Sequence, residues 1–144
     1  MEQMMTKSDV ERADEKSRVR AMLMALAAIP LIATAIMGVG DEASSMTPVL
    51  RHAIWGASIL LWLVFLHTGG ALRSGAVQRL MNDEVGQLNR SRAIQAGFWS
   101  AMLLGLILYF ATLRWELSPR EVLRLMLCLP LAAALLRYAW LERG

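Results

Sequence analysis

Four stretches of the chain lack charged residues for about the length that a helix needs to cross a bilayer, roughly 20 residues. The fourth stretch, 125–136, is short by itself. It becomes long enough if Arg124 and Arg137 extend their charged groups to opposite interfaces. Because backbone groups in lipid have no water to bond, such segments must be helical. The pattern predicts an all-α, polytopic membrane protein with four transmembrane helices at about 21–40, 52–72, 93–113 and 120–141.

The distribution of basic residues predicts the orientation of these helices. Eleven of the 15 Lys and Arg residues fall in the segment 1–20, the connection 73–92 or the C-terminal end. The other four fall in or beside the two remaining connections. Since Lys and Arg concentrate on the cytoplasmic side, both termini and the 73–92 loop are expected in the cytoplasm.

Two regions follow from this division of the chain. Residues 1–20 form a cytoplasmic N-terminal arm, and residues 21–144 form the four-helix transmembrane domain. The arm alternates in charge and has a capping signal at Ser8 and Glu11, so it is predicted to be a helix that continues into the first span.

The ends of the last two helices have their own signals. Ser118 and Glu121 have capping-box spacing around Pro119, which predicts the start of the fourth helix. The connection before it is very short, so the third and fourth helices must be antiparallel neighbours. Asn82 or Asp83 is expected to cap the third helix, which would begin in the cytoplasm.

Composition excludes several classes of function. The chain is 56% hydrophobic and 19% charged, and its single cysteine, Cys128, has no partner for an internal disulfide. No ionisable residue lies at mid-depth in a predicted span, where proton relays and ion pathways need one. No HExxH, P-loop or nucleophile-elbow motif is present. These absences predict a protein that is not an enzyme.

Cofactors, metals and nucleic acids are also not expected. His52 and His67 lie 15 residues apart on one predicted helix, about 22 Å, so they cannot ligate one haem. Asp41, Glu42 and His52 give only a weak cation signal because their spacing defines no ligand geometry. The net charge of +3 follows from membrane orientation, so direct nucleic acid binding is not expected.

Small residues in the third span predict a close helix contact. Ala93, Gly97, Ala101 and Gly105 are spaced by four, which aligns them on one helix face. One interpretation is packing within the bundle, with residues 132–134 of the fourth helix as the neighbour. The other interpretation is a homodimer interface.

One part of the chain resembles known proteins. The segments 81–84 (MNDE), 89–93 (NRSRA) and 97–99 (GFW) are similar to a cytoplasmic segment entering a span in small, uncharacterised four-helix bacterial inner-membrane proteins. Some of those proteins are paired with helix-turn-helix regulators. The resemblance implies a bacterial inner-membrane protein that binds or restrains a soluble cytoplasmic regulator.

The sequence therefore predicts a non-enzymatic membrane protein that binds a partner, as a sensor or sequestering subunit. The expected partner-binding surface comprises the N-terminal arm with Asn82, Asp83, Glu84, Arg90 and Arg92. The alternatives are a small dimeric transporter of a small molecule or lipid, and an accessory subunit of a larger membrane complex.

Overall fold

The computed structural model describes residues 7–37, 47–68 and 84–143. Within them the chain forms four α-helices: α1 (Lys7–Met37), α2 (Pro48–Thr68), α3 (Glu84–Thr112) and α4 (Pro119–Leu141). Each helix contains a stretch long and apolar enough to cross a membrane. The predicted all-α, four-helix class is confirmed.

Two helices begin well before the spans predicted from the sequence. α1 runs without a break from Lys7 to Met37, although its apolar stretch starts only at Arg18. It begins one residue before the capping signal at Ser8, a difference within the usual fraying of a helix end. α3 begins at Glu84, ahead of the predicted span at Ala93. The polar segments before the first and third spans thus continue the helices they precede.

The start of α4 is fixed by the predicted capping box. Ser118 has an extended backbone, with φ −68° and ψ 148°, and its Oγ accepts a hydrogen bond from the Glu121 backbone N–H at 3.3 Å. The Glu121 carboxylate accepts one from the Ser118 N–H at 2.8 Å. Pro119 occupies the first turn, where its missing N–H costs nothing. This prediction is confirmed.

α4 is the central helix of the bundle. α1 and α3 each pack along α4, whereas α2 contacts it at few positions. α1 contributes a face on which every seventh residue is alanine, at Ala21, Ala28 and Ala35, with Met24 and Leu31 between them, all buried. Such small residues let two helix backbones approach closely in a membrane. The residues of α4 that are buried by its neighbours are Cys128, Pro130, Leu131, Ala132, Ala134, Leu135, Tyr138 and Ala139.

α2 is attached by a narrow stripe. Ile59 and Leu66 are its buried residues in the core, and Trp55, Trp62 and Phe65 pack half-buried beside them. The rings of Trp62 and Phe65 meet edge to face, with centroids 5.7 Å apart. The remaining surface of α2 stays open to the surroundings of the bundle.

Candidate functional site

One end of the bundle collects polar groups from all four helices, and we call it the polar end. Here lie the start of the apolar stretch of α1, the beginning of α3 and the ends of α2 and α4. The start of that apolar stretch and the end of α4 therefore meet at one end of the bundle, as an even number of antiparallel helices requires. The polar end consists of Arg20, His67, Asn89, Arg90, Tyr138 and Glu142.

A buried ion pair joins α1 to the end of α4. Arg20 Nη2 lies 2.5 Å from Glu142 Oε2, and the two side chains are only 11% and 4% exposed. Burial of two charges is costly unless they are paired with good geometry. The Arg20 guanidinium also lies over the ring of buried Tyr138, 5.4 Å from its centroid, where the aromatic face attracts a cation. This pair holds α1 and α4 together at Arg20, near the start of the apolar stretch of α1.

Asn89 joins α3 to the same end of α4. Its side-chain Nδ2 donates to the Leu141 carbonyl oxygen at 3.3 Å, and Asn89 is buried. The last carbonyls of a helix have no partner within that helix, so a side chain from a neighbour satisfies one of them. This hydrogen bond explains why the polar Asn89 lies in the otherwise apolar contact between α3 and α4.

Arg90 joins α3 to α2. Its Nη1 donates to the His67 carbonyl oxygen at 3.0 Å, in the last turn of α2. A cation at a helix C-terminus is also favoured by the helix dipole. With the contacts of Arg20 and Asn89, this bond completes a set of links that connects all four helices at the polar end.

The five predicted partner-binding residues are not all brought together. Asn82 and Asp83 lie outside the described residues, and Glu84 is the first residue of α3. Arg92 is exposed, while half-buried Arg90 is engaged with α2. Two residues correspond to about 200° around a helix, so Arg90 and Arg92 point to different sides of α3.

The small-residue face of α3 points at α4. A Cβ added at buried Gly97 would lie 3.0 Å from Ala134 Cβ and 3.2 Å from the Pro130 carbonyl oxygen. One added at Gly105 would lie 3.6 Å from Met126 Cε. Ala93 is buried and Ala101 half-buried. These contacts favour the first interpretation, in which the small-residue face packs within the chain. A homodimer through the same face would have to displace α4.

An apolar groove lies beside this contact, between α2, α3 and α4. Its volume is about 510 Å³. Among the described residues that line it, His67 of the polar end is the one with an ionisable side chain. The groove is lined by Ile59, Leu63, Leu66, His67, Ile94, Gly97, Phe98, Met126, Leu127, Pro130, Leu131 and Ala134.

Sequence reasoning did not identify Arg20, Asn89, Tyr138 or Glu142. A signal for the ion pair was present, because the predicted topology puts residues 20 and 142 on one side of the membrane with opposite charges. The roles of Asn89 and Tyr138 had no such signal, since each depends on which side of its helix meets α4.

Metal binding has no candidate in the described part of the chain, where no three His, Cys, Asp or Glu side chains come close enough to hold an ion. Comparison of the chain with protein-family models, curated proteins and solved structures finds no match. The resemblance to four-helix bacterial membrane proteins therefore remains a prediction.

Proposed function

We propose that this chain is a non-enzymatic membrane protein of the bacterial inner membrane that binds a soluble regulator through its cytoplasmic N-terminal arm. The carrying observation is the unbroken α1 helix. Residues 7–17 precede the apolar stretch Arg18–Met37 in the same helix, and eleven residues of helix extend about 16 Å. A partner would thus meet a rigid rod continuous with a transmembrane helix.

The polar end supports a signalling or sequestering role for this rod. Arg20 lies just after residues 7–17 and is paired with Glu142. A force or a bound partner on the arm would act first on this pair, and through it on α4, which packs against both α1 and α3. Binding on the arm and the packing of the bundle are therefore mechanically connected.

The arm also has the charge pattern of a protein-binding surface. Four acidic residues alternate with basic ones, and mixed charge gives specificity for a partner of complementary pattern. The acidic residues of the arm between Lys7 and Ser17 are Asp9, Glu11, Asp14 and Glu15.

A pull-down in mild detergent with mass spectrometry tests the proposal. Replacing the four acidic residues by lysine is expected to release a soluble protein that the native chain retains. The matched control reverses charge at the opposite end of the bundle, with Glu116→Lys and Arg114→Glu, and should retain it. Retention by the arm variant, or recovery of integral proteins alone, would contradict a soluble partner on the arm.

The 73–92 loop can be tested with one residue. Arg90 is unsuitable because it holds α2, whereas Arg92 is exposed. If the loop contributes to the same surface, Arg92→Glu should weaken retention of the soluble protein without changing the stability of the bundle. Unchanged retention would restrict the binding surface to the arm.

The orientation needs its own experiment. Reporter fusions at both termini should show cytoplasmic activity, as the distribution of Lys and Arg predicts. External activity at either terminus would exclude a cytoplasmic partner on the arm.

An accessory subunit of a larger membrane complex is the second candidate, and the thin attachment of α2 favours it. Only 11% of the apolar stretch of α2 is buried, so most of its surface remains open to an integral partner. A stoichiometric integral protein in the same pull-down, lost in Leu61→Arg on the exposed side of α2, would support this candidate.

A further inference from the structure

We draw no further inference here: the strongest candidate, the apolar groove between α2, α3 and α4, is open to the surroundings of the bundle at Leu63 and Phe98, and nothing in the described part of the chain shows what covers it.

Discussion

α2 and α4 are equally apolar and packed very differently. The mean hydropathy of their apolar stretches is 1.8 and 1.7, yet 11% of the first and 44% of the second is buried. In a bilayer the lipid is as apolar as a leucine side chain, so hydropathy alone gives helices no reason to associate. Packing depends instead on shape and on polar contacts between helices.

The residues of the two helices show the difference in shape. α4 has small buried residues at Cys128, Ala132 and Ala139, which allow neighbouring backbones to come close. α2 has large exposed side chains at Leu60 and Leu61 and meets the core through a stripe of bulky residues. Hydropathy thus marks which segments can enter a membrane, and small residues mark which of them become the centre of the bundle.

The largest expected effect comes from the ion pair that joins α1 to the end of α4. Arg20→Met removes the cation beside the buried Glu142 carboxylate, which should cost about 4 kcal/mol of unfolding free energy. The measurement is a denaturation curve in mixed detergent micelles.

Two further variants give this experiment its control. Arg143→Met removes a charge from an exposed position one residue after Glu142 and should change stability little. The double variant Arg20→Met/Glu142→Leu should recover most of the loss, since no charge stays buried. Native-like stability of Arg20→Met would show that the pair is not buried in solution.

A second pair of substitutions compares the close contact between α3 and α4 with the open surface of α2. Gly97→Leu places a side chain against Ala134 Cβ and the Pro130 carbonyl oxygen. This backbone oxygen cannot move aside as the end of a flexible side chain could. We expect a loss of about 3 kcal/mol, the upper end of the range for overpacking. A Cβ added at Gly56 on α2 meets nothing within 4 Å, so Gly56→Leu should be close to neutral. Equal losses for the two variants would contradict the packing difference.

A third substitution compares buried and exposed leucines directly. Leu135→Ala on α4 leaves a cavity at a fully buried position and should cost about 2 kcal/mol, near the lower limit for such truncations because lipid also solvates leucine. Leu61→Ala on α2, at an exposed position, should cost less than about 0.5 kcal/mol. Denaturation of both variants in the same micelles makes the comparison.

The sequence predicted the helical elements and one boundary well. Charge-free stretches require helices in lipid, and Ser118, Pro119 and Glu121 specify the start of α4 through local hydrogen bonds. Both signals depend only on residues close in the chain. The close approach of α3 and α4 at Gly97 and Ala134 was one of two interpretations of the small-residue face.

Contacts between distant residues were harder to predict. The alanines of α1 at positions 21, 28 and 35 repeat every seven residues, a pattern that sequence analysis overlooked beside the four-residue spacing in α3. The apolar groove depends on how far α2 stands from α3, and no local pattern sets that distance. Likewise, the bond of Arg90 to His67 depends on the rotation of α3, which a count of basic residues does not specify.

The smallest expected effect concerns the single hydrogen bond between α3 and the last turn of α4. Asn89→Leu keeps a side chain of similar size but removes the donor to the Leu141 carbonyl oxygen, at an expected cost of about 1 kcal/mol. Gln95→Leu, at an exposed position of the same helix, is the control and should be neutral in the same denaturation measurement. If Asn89→Leu were as stable as the native chain, lipid or water would have to satisfy that carbonyl. Among the contacts described at the polar end, Arg20 would then hold α4, through its ion pair with Glu142 and its contact with the Tyr138 ring.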